Sequence, residues 1–148
     1  MTTIRPHKHI LFDAVITNPP RDEQAMKLFL SKLITDIDMV VADLGNGQQN
    51  PQAWYCEDEN NEGMTAQAIL TTSHVVLHVW DQIEKPELHF DLYSCSDFDP
   101  YFVVEKLHEI FGIVEGSGHI INRRGKEIHK FFILDGKFYL VLNDEDLD

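Results

Sequence analysis
Apolar positions recur along this chain in two periods. His9 to Val15 (HILFDAV) is apolar enough for a first strand. From Asp22 to Ile37, the residues Ala25, Met26, Leu28, Phe29, Leu30, Leu33 and Ile34 keep the spacing of an amphipathic helix. Met39 to Leu44 reads as a second strand, closed by the turn Gly45-Asn46-Gly47. Gln48 to Met64 is polar and acidic and predicts a long loop, of the kind that carries function. Ala68 to Trp80 and Glu87 to Cys95 predict the strands of a central hairpin, with Pro86 near its turn. Asp99-Pro100 opens a helix to about Ile110, with Phe102, Val103, Leu107 and Ile110 facing inward and Gly112 as its stop. Gly116-Ser117-Gly118 predicts a turn, His119 to Asn122 a strand, and Arg123-Arg124-Gly125 a further turn. In HKFFIL-DG-KFYLVL, Asp135-Gly136 between apolar runs predicts a tight hairpin. This order gives an α+β two-layer sandwich, a mostly antiparallel sheet with helices packed on one face.

Length and charge narrow the picture. The 148 residues suit one domain spanning 1–148. No apolar run reaches the roughly 20 residues that cross a bilayer, and the first ten residues hold no secretory apolar core, so no membrane contact is expected. A formal charge of −13 argues against nucleic acid as a partner. Part of that charge is the tail Asn143 to Asp148, read as a solvated end. Cys56 and Cys95 are too few for a disulfide framework, which predicts reduced thiols and a cytoplasmic location.

The reactive residues concentrate between Leu70 and Cys95. A hairpin there is expected to bring Ser73, His74, His78 and Cys95 into one small volume. His74 and His78 are four apart and so share a strand face. That spacing admits a metal with His89 or Cys95 as third ligand. Neither C-x-x-C nor H-E-x-x-H occurs, however, and no metal is expected. Gly-x-Ser-x-Gly is also absent, which excludes a hydrolase nucleophile elbow at Ser73. Cys95 reads on composition as a small core residue. Trp54 and Tyr55 read as core aromatics first and as a stacking platform for a flat ligand second.

The order Ser73-His74, His78, Trp80, Phe90-Asp91-Leu92-Tyr93-Ser94-Cys95 and Asp99-Pro100 resembles the bacterial and archaeal type of S-adenosylmethionine decarboxylase. His9-Ile10-Leu11-Phe12-Asp13 is similar to that family's first strand, and the resemblance covers roughly residues 8 to 112. Residues 118–148 read as extra C-terminal strands. The resemblance implies a chain that cuts itself between Thr72 and Ser73, giving chains 1–72 and 73–148. The serine hydroxyl attacks the Thr72 carbonyl, the resulting ester is eliminated, and hydrolysis leaves a pyruvoyl group derived from Ser73. That group would form a Schiff base with the substrate amine and act as an electron sink. His78 matches the processing histidine, and Cys95 the acid that reprotonates the substrate carbon. A thiol, ordinarily near pKa 8.5, is protonated at neutral pH. The family also implies a homodimer joined through its sheets and a product used in spermidine synthesis.

This chain departs from the family pattern at several places. Thr72 stands where an acidic residue or lysine is usual, and Thr65 stands for a serine. Trp80-Asp81-Gln82 replaces Trp-Pro-Glu, leaving Asp81 as the carboxylate near the substrate. Glu57 to Thr65 lacks the expected aromatic, a role left to Trp54 or Tyr55. His74, Trp80 and Asp81 complete the expected substrate-binding set, and Thr65 joins the catalytic one. Two alternatives stand beside this reading. One is an uncut, non-catalytic relative that binds a small cation or a partner subunit. The other is a decarboxylase of another amino acid.

Overall fold
The computed structural model describes residues 7–81 and 83–141. Eight strands form one sheet in the order β2-β3-β4-β5-β1-β6-β7-β8, with every neighbouring pair antiparallel. They are β1 (Lys8–Ile16), β2 (Gln52–Cys56), β3 (Gly63–Leu70), β4 (Ser73–Trp80), β5 (Glu87–Ser94), β6 (Ile113–Asn122), β7 (Glu127–Leu134) and β8 (Lys137–Leu140). The helices are α1 (Glu23–Asp36), between β1 and β2, and α2 (Pro100–Phe111), between β5 and β6. The expected α+β sandwich is therefore the fold.

Each helix starts where its sequence says it starts. The Asp22 carboxylate accepts from the Ala25 N–H, and the Asp99 carboxylate accepts from the Tyr101 N–H, each satisfying a donor that helix geometry orphans. Gly112 closes α2 in the left-handed region at φ 66°. α1 buries Met26, Leu30, Leu33 and Ile34 over the β2–β3 side of the sheet. α2 buries Val103, Val104, Leu107 and Phe111 over the β6 and β8 side. Ile110, expected inside, is 37% exposed, because the buried stripe lies one position further round and takes Phe111 instead. Phe102 is only partly buried, at the border of that stripe. Phe29 and Phe111 meet edge to face at 5.9 Å and join the helices into one layer.

Strand alternation does the rest. Ile10, Phe12 and Ala14 of β1, Val75, Leu77 and Val79 of β4, and Leu88, Phe90 and Leu92 of β5 point at the helices and are buried. Their neighbours His9, His74, Val76, His78, His89, Asp91 and Tyr93 point the other way. Among the described residues nothing covers that second, open face.

Four expectations need correcting. Met39 to Leu44 is no strand. Val41 makes a single bridge to Leu70, while Ile37 and Met39 are buried beside it, so the apolar run caps the core. The expected loop from Gln48 to Met64 contains β2 and the start of β3. Ala68 to Trp80 is not one strand but the end of β3 and all of β4, folded back at Thr71-Thr72. Gly116-Ser117-Gly118 is no turn either. It lies inside β6, where a Cβ on Gly118 would sit 2.1 Å from the Leu11 carbonyl oxygen and 2.4 Å from the Phe12 Cβ. The glycine is there so that β1 can approach with its large side chain. The C-terminal hairpin forms as expected, with Leu134 opposite Lys137 across Asp135-Gly136. The acidic tail lies outside the described residues.

Candidate active site
The turn between β3 and β4 places Ser73. Leu70 pairs with Ser73, so only Thr71 and Thr72 turn the chain. Thr72 takes φ 54°, in the left-handed region that a β-branched residue avoids. The Thr72–Ser73 peptide bond therefore leaves a strained residue. Relief of that strain is measurable: in a Ser73→Ala background, Thr72→Gly is expected to stabilise the chain by about 1 kcal/mol. Thermal unfolding should show a midpoint raised by about 3 °C.

Cys95 sits directly across from this turn. Its backbone N–H donates to Ser73 Oγ at 2.9 Å, and its Sγ lies 3.7 Å from the Thr71 carbonyl oxygen. Neither cysteine is in a disulfide. The hydroxyl, the thiol and the Thr72–Ser73 bond thus share one end of the sheet, as the hairpin argument required.

His78 is not with them. It lies five residues further along β4, roughly 16 Å at the rise of a strand, and five is an odd number. Ser73 therefore belongs to the helix-facing set and His78 to the open face. The expected single volume for serine, imidazoles and thiol is corrected to two half-sites. The second half-site is built by register. Trp54 pairs with Thr65, Thr65 with His78, and His78 with His89, giving a row across β2, β3, β4 and β5. Thr65 Oγ1 and His78 Nδ1 are 3.1 Å apart, and Trp80 packs beside His78 and against His89. Trp54 is 63% exposed at the end of this row, so its core reading is also corrected; it offers a free aromatic face. A groove of about 320 Å³ runs over Leu11, His74, Val76, His78, His89 and Asp91.

His74 and His78 share a face but stand about 13 Å apart at strand rise, too far for one metal ion. His74 instead gathers with two residues the spacing argument did not use. Its Nε2 is 2.9 Å from Asp91 Oδ1, and His9 Nε2 is 2.8 Å from the same oxygen. Burial alone would raise the Asp91 carboxyl, but the hydrogen bonds to the two histidines outweigh it and hold the group below its ordinary value.

Asp81 is almost fully enclosed just beyond β4. Its Oδ2 accepts from the Tyr55 hydroxyl at 2.6 Å and lies 3.8 Å from the exposed Arg21 guanidinium. Its Oδ1 has no hydrogen-bond partner among the described residues. Burial first, then the bond to Asp81, pushes the Tyr55 hydroxyl up to about 12. A proton held more tightly in the folded than in the unfolded chain stabilises the fold fully below about pH 10 and progressively less as the pH rises toward 12. Near-ultraviolet phenolate absorbance should show one of the four tyrosines ionising late, with stability falling through that window. Tyr55→Phe removes the donor from a buried carboxylate and is expected to cost about 1.5–3 kcal/mol in denaturant unfolding. Gln82 lies outside the described residues.

The family model for S-adenosylmethionine decarboxylase matches residues 8–124. The match runs past the expected limit near 112 and takes in all of β6, the strand that flanks β1 on its second side. A boundary at 118 would cut that strand in the middle. No curated protein matches the chain.

Proposed function
The chain belongs to the S-adenosylmethionine decarboxylase family, and we propose on that footing that it is a self-cleaving, pyruvoyl-dependent decarboxylase of S-adenosylmethionine. The observation that carries this reading is the Thr72–Ser73 bond, set in a two-residue turn after a left-handed threonine, with the Cys95 thiol beside it. The proposed cut runs as follows. Ser73 Oγ bonds to the Thr72 carbonyl carbon and the C–N bond breaks, giving an ester and a free amine. Loss of the Ser73 Cα proton expels the Thr72 carboxylate from Cβ. The resulting enamine becomes an imine, and water replaces its nitrogen, releasing ammonia and leaving a pyruvoyl group on chain 73–148. Ser73 is the residue that fits, since its hydroxyl follows the Thr72 carbonyl directly, while the Thr72 hydroxyl is bonded back to the Thr71 carbonyl. Once formed, the group supplies a carbonyl that takes up electrons while CO2 leaves.

Other residues take their roles from position. Cys95 holds a proton for the substrate carbon. Trp54, exposed in the row of Thr65 and His78, offers a stacking face to a flat base. The net charge of −13 favours a cationic substrate, whereas Asp81, enclosed and bonded to Tyr55, is taken up in the fold instead of facing one. Thr65 and His78 are too far from the Ser73 of their own chain, and this supports a homodimer in which they serve the partner's serine. The open face is the surface for it, and the partner's Ser73, the first residue of β4, would be reached around the end of the sheet and not across it. It is uncovered among the described residues and exposes Ile69, Ile128, Phe132, Leu134 and Tyr139. No helix among the described residues is long and apolar enough to cross a membrane. Two cysteines are too few for a disulfide framework, which supports a cytoplasmic location.

A specific contact favours the rival reading. Ser73 Oγ accepts from the Cys95 N–H, so part of its lone-pair density is engaged away from the Thr72 carbonyl. An uncut relative that binds a small cation or a partner subunit would keep that bond. Intact-mass measurement decides between them, with Ser73→Ala alongside. The expected result is two fragments split at Thr72/Ser73 in the native chain only, the second ending in a ketone, together with CO2 release from S-adenosylmethionine. A single 17.1 kDa species in both samples after long incubation would overturn the decarboxylase and leave the binding protein. A cut chain that releases CO2 only from another amino acid would reassign the substrate.

A further inference from the structure
We propose that His9, His74 and Asp91 form a binding site for one borderline divalent transition-metal ion on the open face of the sheet. The three come from β1, β4 and β5, neighbouring strands in the middle of the sheet, each paired on both sides. Their ligand atoms all lie within 4.8 Å of one another. Two edges of this triangle are 2.8 Å and 2.9 Å, from the imidazole Nε2 atoms to Asp91 Oδ1. An ion bound about 2.1 Å from each atom, with ligands at right angles, has edges of about 3.0 Å, whereas a tetrahedral ion has edges of about 3.4 Å. These two edges fit right-angled ligands of a single ion, and the third, between the imidazoles, is within 4.8 Å. Two neutral imidazoles and one carboxylate are also the donor set that borderline divalent ions prefer, with the opposite positions left to water or a ligand.

The rings are held for this geometry. Tyr93 lies between them in register, opposite both His9 and His74. It stacks on His74 at 5.9 Å and meets His9 edge-on at 5.8 Å. Tyr93 is itself fixed, its hydroxyl 2.6 Å from His7 Nδ1 and its ring under the Arg123 guanidinium at 5.1 Å. Supports of this kind orient metal-binding imidazoles. His9 is mostly covered, while His74 and Asp91 keep about two-fifths of their side-chain surface in the single chain. A hydrogen-bonded His–Asp–His set that merely ties three strands together has the same distances without an ion, and the experiment separates the two.

The full-length chain, freed of metal by chelation, is titrated with Zn2+ in a calorimeter and with Co2+ by visible absorbance. His9→Gln, Asp91→Asn and, as a control on the opposite side of β1, His129→Ala are measured beside it. The expected result is one ion per chain, cobalt bands of a histidine-ligated centre, a loss of at least tenfold in affinity for His9→Gln and for Asp91→Asn, and unchanged binding for His129→Ala. Far-ultraviolet circular dichroism shows that each variant is folded. Absence of binding by the native chain at micromolar metal would overturn the proposal, as would Asp91→Asn binding as tightly as the native chain. Both titrations are repeated on Ser73→Ala, which cannot form the ester and stays whole, so the site stands or falls apart from the decarboxylase reading.

Discussion

His78→Ala alone is expected to slow self-cleavage by about two to four orders of magnitude, the range for loss of a positioned acid or base. Mixed with Ser73→Ala, it is expected to be cut again. Neither chain can act on itself: one lacks the imidazole, the other the hydroxyl. In a mixed dimer the Ser73→Ala chain brings an intact Thr65–His78 pair, held at 3.1 Å, to the serine of its partner. The argument rests on strand geometry. Five residues of β4 separate Ser73 from His78, about 16 Å with opposite side-chain directions, and no rotamer closes that gap. Mass spectrometry of co-expressed chains reads the outcome directly, because only the His78→Ala chain carries a cleavable bond. Unimpaired cleavage of His78→Ala by itself would remove the histidine from processing. A mixture that stays whole would remove the shared site.

Cys95→Ala is expected to separate the cut from the turnover. The backbone N–H that donates to Ser73 Oγ is present whatever the side chain, so cleavage should proceed at close to the native rate. The thiol is gone, so release of CO2 from S-adenosylmethionine with correct reprotonation should fall by about two to four orders of magnitude. Cys95→Ser, with a far weaker acid, should recover little of it. The two quantities are read on one sample, fragments by mass and product by trapping of CO2. Turnover within threefold of native in Cys95→Ala would show that the proton comes from elsewhere.

Legibility in the sequence followed the range of the interaction. Both helices were readable because their signals are local: a repeat of apolar residues in α1, and in α2 the Asp99 cap and the Gly112 stop as well. Asp135-Gly136 announced its hairpin for the same reason. The turn at Thr71-Thr72 gave no signal, since it contains none of the glycine, proline or asparagine that usually marks one, and strand pairing on both sides forces it. β2 and the start of β3 were hidden in an acidic stretch, because an edge strand with one wet face needs few apolar residues. The Ser73–Cys95 contact was foreseeable from a hairpin. The His9–Asp91 contact was not: those residues are 82 positions apart, and only the antiparallel register of β1 with β5 brings them together.

The order of strands also sets what a cut between Thr72 and Ser73 does to the molecule. Chain 1–72 would own β1, β2 and β3; chain 73–148 would own the other five strands. These are interleaved, with β1 of the first piece lying between β5 and β6 of the second, and β3 hydrogen-bonded to β4 across the cut. Either piece alone would lack the middle or the flank of its sheet, and its core would be open to water. The severed halves should therefore co-purify as one body under native conditions and part only in denaturant. Fragments renatured separately should remain unfolded until mixed, so the peptide link, once it has guided folding, can be dispensed with.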